Sequence, residues 1–244
     1  LPSALNNLGL ALRQSGQTKA ALECFRQAIQ IAPNYGQALS NLGLTLQDLK
    51  LSDESVQVLQ RAVEVEPSMA LAHYNLANVL TEKKELDAAI ASYRRAIELQ
   101  PDYAEAHNNL AAAYDQLDMI DQAIECYRRV IELRPDWLEA RCNLSIAFQM
   151  AGRLAEAIEV AEEAVSVKPD ASAPNWNWGL LRLTDGDFEN GWRGYEWRFA
   201  QQKAAPPEPA WDGSDPSGQT ILVHAEQGFG DTLQFIRYAP LLTQ

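Results

Sequence analysis

The chain has 244 residues, 47% of them hydrophobic, and a formal net charge of −13. This acidity argues against a nucleic-acid-binding surface, which requires a stripe of basic residues that the sequence does not show. The sequence has no uninterrupted apolar run of about 18 residues, so we predict no membrane span. The three cysteines have no metal-ligand spacing, and no metal site is predicted.

Prolines set a regular spacing along the first 171 residues. A proline just after a helical pattern marks where a helix ends. The prolines that recur at intervals of 34 residues are Pro33, Pro67, Pro101, Pro135 and Pro169. They divide this part of the chain into five units, at residues 2–35, 36–69, 70–103, 104–137 and 138–171.

Small and large residues recur at fixed positions, counted from the first residue of each unit. Position 8 is small: Gly9, Gly43, Ala77, Ala111 and Ser145. Position 24 is large in four of the five units: Phe25, Leu59, Tyr93 and Tyr127. Small side chains let the two helices of a hairpin approach, and large ones fill the gaps against the next unit. The pattern resembles the tetratricopeptide repeat, which implies an all-α fold, a right-handed solenoid of antiparallel helix pairs.

A weaker sixth unit, at residues 172–200, follows the five regular ones. It keeps Asn177, Trp178 and Gly179 at positions 6 to 8 but lacks the closing proline. Its tryptophans are Trp176, Trp178, Trp192 and Trp197. A solenoid needs an atypical terminal unit to cover its last apolar face, and bulky aromatic residues suit that role. They also suit a docking surface for a following domain, and one helix can serve both purposes.

Position 6 carries an asparagine in all six units, and we call this set the asparagine row. Its members are Asn7, Asn41, Asn75, Asn109, Asn143 and Asn177. Asparagine is a poor helix former because its amide competes for backbone hydrogen bonds, so six in register require a reason. A primary amide offers a donor and an acceptor together, and a row of them would clamp an extended peptide through its backbone.

The asparagine row is also compatible with two roles that involve no ligand. The amides would serve packing or hydrogen bonding between repeats, or recent duplication would copy them without any function. Positions 5 and 9 vary widely between units, which argues against duplication alone. The solenoid resembles the asparagine-lined superhelix of eukaryotic O-linked N-acetylglucosamine transferase. That resemblance implies that position 6 faces the concave groove and that a protein or extended peptide binds there.

The composition changes after the sixth unit. Residues 201–219 are rich in proline and predict an extended linker. Residues 220–225 form an apolar, β-branched run typical of a buried strand, and a helix is predicted from Asp231 onward. Strand, glycine-containing turn and helix together predict the start of a Rossmann-like α/β domain. Gly228 and Gly230 are its candidate cofactor-binding residues, without the third glycine of a dinucleotide fingerprint.

Residues 225–235, Ala-Glu-Gln-Gly-Phe-Gly-Asp-Thr-Leu-Gln-Phe, resemble the first strand and helix of bacterial repeat-fused glycosyltransferases. These enzymes are similar to heptosyltransferases, so the resemblance implies a nucleotide sugar as donor. It also makes Asp231 the candidate catalytic base that removes a proton from the acceptor hydroxyl, with Glu226 as a second candidate. The alternative is that Asp231 only caps its helix.

Residues 220–244 contain one strand and one helix, which cannot enclose a nucleotide sugar. We therefore expect a fragment cut at both ends that binds no cofactor and is not catalytic itself. One hypothesis is the acceptor-recognition region of a larger glycosyltransferase, and the other is a non-enzymatic protein–protein adaptor. We expect a cytoplasmic protein whose native N-terminus is missing, with self-association through the orphan strand or the open repeat ends.

Overall fold

The computed structural model describes residues 1–199, which fold into twelve α-helices and a final 3-10 helix. The helices are α1 Pro2–Gln14, α2 Thr18–Ile31, α3 Gly36–Asp48, α4 Ser52–Val65, α5 Ala70–Glu82, α6 Leu86–Leu99, α7 Ala104–Asp115, α8 Ile120–Leu133, α9 Leu138–Met150, α10 Leu154–Val167, α11 Ser172–Asp185 and α12 Phe188–Tyr195. The 3-10 helix spans Glu196–Phe199. The linker predicted at residues 201–219 and the strand and helix predicted at residues 220–244 lie outside the described residues.

The helices pack as six consecutive pairs, and each pair also contacts the next. We call the odd-numbered helices A helices and the even-numbered ones B helices. The A helices begin at intervals of 34 residues, at Pro2, Gly36, Ala70, Ala104, Leu138 and Ser172. The prediction of an all-α solenoid of helix pairs is confirmed for the described part of the chain.

The turn inside each pair has the same backbone geometry in all six repeats. The residue at position 15 has a positive φ: Gly16, Lys50, Lys84, Asp118, Gly152 and Gly186. The next residue donates its backbone N–H to the carbonyl five residues earlier, as in the 2.9 Å bond from Gln17 to Leu12. This is the Schellman ending of a helix, which reverses the chain and satisfies carbonyls that the helix leaves free.

Close contact within each pair explains the small residues at position 8. A Cβ atom added to Gly9 would lie 2.6 Å from Cε1 of Phe25, and one added to Gly43 would lie 2.4 Å from Cγ of Leu59. In the fifth repeat the Oγ of Ser145 instead donates to the backbone oxygen of Ala157, at 3.0 Å. Helix A and helix B therefore approach so closely that only a very small side chain fits between them.

The sixth pair achieves its contact with two glycines. A Cβ atom at Gly179 would lie 2.5 Å from the backbone carbon of Gly194, so α11 and α12 touch backbone to backbone. Trp178 packs against the main hydrophobic core, which fits the capping role. Phe188 and Trp192 remain exposed on α12. The aromatic residues of this unit therefore divide between covering the core and facing outward.

Candidate functional site

The six members of the asparagine row lie on successive A helices, but their surroundings differ. Asn7, in the first repeat, is exposed, whereas Asn75 retains only 2% of its accessible surface. The other four, Asn41, Asn109, Asn143 and Asn177, are half-buried. The row therefore combines amides in contact with neighbouring helices and amides open to solvent.

Three amides of the row donate to position 5 of the preceding repeat. Nδ2 of Asn41 donates to Oδ1 of Asn6 at 2.8 Å, and Nδ2 of Asn75 donates to Oγ of Ser40 at 2.9 Å. Nδ2 of Asn109 donates to the hydroxyl of Tyr74 at 3.1 Å. Position 5 varies in type along the chain, but each of these three residues offers an oxygen acceptor. The amides therefore connect successive A helices through hydrogen bonds between repeats.

The pattern changes in the last two repeats. Nδ2 of Asn177 donates to Oγ of Ser145, at position 8 of the preceding repeat, at 3.0 Å. Asn143 makes no side-chain hydrogen bond to any residue that the structure describes. The atom that would correspond to its acceptor, Oδ1 of Asn108, is buried without a partner within residues 1–199. Within residues 1–199, the hydrogen bond that the asparagine row makes between successive A helices therefore has no counterpart between the fourth and fifth repeats.

The carbonyl oxygens of the row are mostly unused. Oδ1 of Asn109 accepts from Nδ2 of Asn108 at 3.4 Å. The other five Oδ1 atoms, those of Asn7, Asn41, Asn75, Asn143 and Asn177, have no hydrogen-bond partner among residues 1–199, and none is a buried unpaired atom. The solenoid thus engages the donor side of four of these amides and leaves five carbonyl oxygens unpaired within residues 1–199. Of the five, that of Asn75 belongs to an almost fully buried side chain, and the others belong to exposed or half-buried side chains that a ligand can reach.

Tyrosine side chains pack and form hydrogen bonds around Asn109, near the centre of the row. The ring of Tyr74 lies 4.9 Å from that of Tyr103 and 6.0 Å from that of Tyr93, centroid to centroid. The hydroxyl of Tyr93 donates to Oδ1 of Asn78 at 2.7 Å, and burial raises the pKa of this hydroxyl. Nδ2 of Asn109 donates to the same Oδ1 at 3.0 Å. The amide of Asn109 is therefore fixed by two neighbours, Tyr74 and Asn78.

Position 4 has a structural role. Nε2 of His73 and Nε2 of His107 each lie 3.1 Å from a proline carbonyl of the preceding repeat, Pro67 and Pro101, and each nitrogen must donate to it. Asn175 makes the equivalent bond to the carbonyl of Pro169 at 2.8 Å. Burial lowers the pKa of both histidines. Within the described part of the chain, no group of three or more His, Cys, Asp or Glu side chains is arranged to hold a metal ion.

Two features were missed by sequence reasoning. The first is the set of oxygen acceptors at position 5, where the residue type differs from repeat to repeat. Each acceptor stands 35 residues before an asparagine of the row, and this spacing is the signal that would identify it. The glycines at position 15 also signal the left-handed turn residue. The predicted site residues Gly228, Gly230 and Asp231, with Glu226, lie outside the described residues.

Comparison with family models agrees with the helix pairs. Models described as "Tetratricopeptide repeat" match residues 2–35, 36–69, 104–136 and 138–163, and one described as "TPR repeat" matches residues 77–118. The chain belongs to the tetratricopeptide-repeat family. None of the helices of this repeat protein within residues 1–199 is both long and apolar enough to cross a membrane.

Solved structures of other repeat proteins share the fold. The MamA protein is 24% identical, with a TM-score of 0.63 over 77% of this chain and 95% of that one. YrrB, described as a TPR protein with an unusual peptide-binding site, is 19% identical, with a TM-score of 0.65 over 74% and 93%. PilF of Pseudomonas aeruginosa is 17% identical, with a TM-score of 0.71 over 84% and 93%. The chain has no significant match among curated protein sequences.

Proposed function

We propose that this repeat protein is a scaffold that binds an extended peptide segment of a partner protein, using the carbonyl oxygens of the asparagine row. The observation that carries the proposal is that the donor and acceptor groups of these amides are used differently. Four of the six donate to a neighbouring repeat, while five of the six Oδ1 atoms have no partner among residues 1–199. Backbone N–H groups are the donors that any peptide offers, whatever its sequence.

We infer that the spacing of successive A helices suits a peptide in the polyproline II conformation. Packed helices lie about 8–10 Å apart. A polyproline II chain has about three residues per turn and rises about 3.1 Å per residue, so equivalent N–H groups recur about every 9 Å along one side. N–H groups of the peptide would then meet the asparagine carbonyls that are unpaired within residues 1–199 and accessible, those of Asn7, Asn41, Asn143 and Asn177. The peptide-binding site that is described for YrrB, a protein of the same fold, supports this type of ligand.

The test uses the two members of the row whose side chains make no hydrogen bond within residues 1–199, Asn7 and Asn143. The double variant Asn7→Ala, Asn143→Ala removes two open acceptors without removing a hydrogen bond of the described fold. The unmodified parent protein and the double variant are each presented with an immobilised library of random dodecapeptides. We expect peptides bound by the parent to bind the variant about thirtyfold more weakly, since two hydrogen bonds of about 1 kcal/mol each are lost.

The matched control is Asn34→Ala, which removes an exposed asparagine in the loop between the first and second repeats. Its affinity for the same peptides should equal that of the parent. Equal binding by the double variant and the parent would contradict a role for the row, and no binding of any peptide by the parent would contradict the scaffold itself.

We further propose that the scaffold selects the acceptor for a glycosyltransferase of which this chain is a part. The support is the resemblance of residues 225–235 to repeat-fused glycosyltransferases. In that protein, Gly228 and Gly230 would approach a nucleotide-sugar donor, and Asp231 would act as the base. Binding of a panel of UDP- and ADP-linked sugars to the larger protein, measured by calorimetry, tests this. Absence of binding would leave the non-enzymatic adaptor as the function.

A further inference from the structure

Two neighbouring A helices carry large apolar side chains on their exposed faces. The residues and their exposed fractions are Ile146 43%, Met150 54%, Trp176 44% and Leu180 37%. We call these four residues the apolar patch. Ile146 and Met150 are four residues apart on α9, and Trp176 and Leu180 are four apart on α11, so each pair shares one face of its helix. Helices α9 and α11 contact each other, so the two pairs lie on neighbouring helices.

The patch is a local feature of the fifth and sixth repeats. Position 13, which is Met150 in the fifth repeat, is polar and exposed in the first four: Gln14, Asp48, Glu82 and Gln116. The exposure of Ile146 and Met150 is not an effect of the end of the solenoid, because α9 is followed by a further helix pair and contacts both α8 and α11. Large exposed apolar groups at adjacent positions are characteristic of interaction surfaces.

Two polar groups of α9 lie on the same face as the patch. Asn143 precedes Ile146 by three residues and makes no side-chain hydrogen bond within residues 1–199, so both its donor and its acceptor are open. Glu139, four residues before Asn143, is exposed and forms no ion pair with any residue that the structure describes. An occupant of this face would therefore meet a free amide, a free carboxylate and an apolar surface together.

We propose that the apolar patch, Asn143 and Glu139 form a subsite that selects a bulky apolar side chain next to a basic residue in the bound peptide. This proposal rests on the proposed function, since it assigns a sequence preference to one end of the same peptide-binding surface. Charge complementarity specifies the basic residue: Glu139 is an unpaired carboxylate, within residues 1–199, on a chain of net charge −13. Asn143 supplies the backbone contact, and the four apolar side chains cover the apolar residue.

The experiment compares selections from a random dodecapeptide library on the full chain and on two variants. The parent should enrich peptides with Leu, Ile, Phe or Trp within two residues of Lys or Arg. The variant Ile146→Ser, Leu180→Ser should still bind peptides but lose the apolar preference, and Glu139→Gln should lose the basic one. The control Ile31→Ser, Val167→Ser removes similarly exposed apolar groups from the ends of B helices and should select as the parent does.

A double-mutant cycle gives the quantitative test. In a peptide selected by the parent, replacement of its apolar residue by Ser should weaken binding about tenfold to the parent and less than about twofold to Ile146→Ser, Leu180→Ser, because the loss of one buried aliphatic side chain corresponds to about that factor. Equal losses in the two proteins would overturn the subsite.

The remaining outcomes separate this subsite from the proposed function. If the parent binds peptides without an apolar preference, the subsite is wrong and the peptide scaffold stands. If it binds no peptide, both fail. If sedimentation shows a parent dimer that Ile146→Ser, Leu180→Ser converts to a monomer, a second copy covers the patch and the subsite is overturned.

Discussion

The amide of Asn75 donates to the hydroxyl of Ser40, 35 residues earlier, across 2.9 Å between Nδ2 and Oγ. Both side chains are buried, with exposed fractions of 2% and 0%. A buried donor without an acceptor costs about 1–3 kcal/mol. The second and third repeats are therefore connected by a buried hydrogen bond, and removing either partner should lower the free energy of unfolding.

Ser40→Ala should lower the free energy of unfolding by about 1–3 kcal/mol, because it leaves Nδ2 of Asn75 buried and unpaired. The double variant Ser40→Ala, Asn75→Ala should be destabilised by less than the sum of the two single variants. Urea titrations followed by circular dichroism give the coupling energy, which we expect to be about 1 kcal/mol. Strict additivity of the two changes would show that this hydrogen bond does not stabilise the fold.

Gly179→Ala should destabilise the last helix pair. The new methyl group would lie 2.5 Å from the backbone of Gly194, so α11 and α12 would have to separate. Overpacking of this kind costs about 1–3 kcal/mol or more when the obstacle is backbone. Ala173→Ser, at an exposed position near the start of the same helix, is the control and should change stability by less than about 0.5 kcal/mol. Equal melting temperatures for the two variants would contradict the close contact.

Asp118→Gly should stabilise the turn between α7 and α8. Asp118 has a φ of 56°, in the left-handed region that costs a residue with a Cβ atom about 1–2 kcal/mol. Glycine adopts this φ without that cost, but it also has more conformational freedom in the unfolded chain, which offsets part of the stabilisation. We therefore expect the free energy of unfolding to increase by about 0.5 kcal/mol.

Gly152→Ala is the opposite change at the same position of the next repeat. Gly152 has a φ of 73°, and an added Cβ would meet no atom within 4 Å, so any effect comes from the backbone alone. We expect a loss of about 1 kcal/mol in the free energy of unfolding. Changes of the same sign at Asp118 and Gly152, measured by urea titration, would contradict a left-handed strain at this position of the turn.

The histidines at position 4 should make stability depend on pH. Burial lowers the pKa of His73 and His107 below the ordinary value of 6.5, so the unfolded chain binds more protons than the folded chain as pH falls through that value. The free energy of unfolding should therefore decrease as the pH falls from about 7.5 to about 5.

The variant His73→Asn, His107→Asn removes this dependence and imitates Asn175, which makes the same bond to a proline carbonyl with a side chain that does not titrate. Thermal melts at both pH values measure the difference between parent and variant. The contributions of other titrating groups to the pH dependence of stability are the same in both proteins and cancel in that difference. One of them is Asp115, whose pKa is raised by burial and whose contribution has the opposite sign. A parent that loses no more stability than the variant at low pH would contradict the prediction.

The tandem repeats were predictable because each one is specified locally. Proline at position 32 ends a helix wherever it stands, and the small residue at position 8 is required by contact within a single pair, as between Gly9 and Phe25. The asparagine row was also visible, because position 6 recurs with the same period. These features follow from the local chain and from its repetition, so the sequence alone determined the solenoid and the position of the row on the A helices.

Only the tertiary structure decided what the asparagines do. Their partners lie in the preceding repeat, and which atom accepts depends on how two A helices pack: Asn75 meets Ser40 at position 5, whereas Asn177 meets Ser145 at position 8, and Asn143 meets neither. A side-chain amide carries both donor and acceptor groups, and the sequence does not indicate which of them the fold engages. Packing between repeats engages the donors of four amides, those of Asn41, Asn75, Asn109 and Asn177, because the preceding A helix places an oxygen atom within hydrogen-bond distance of each.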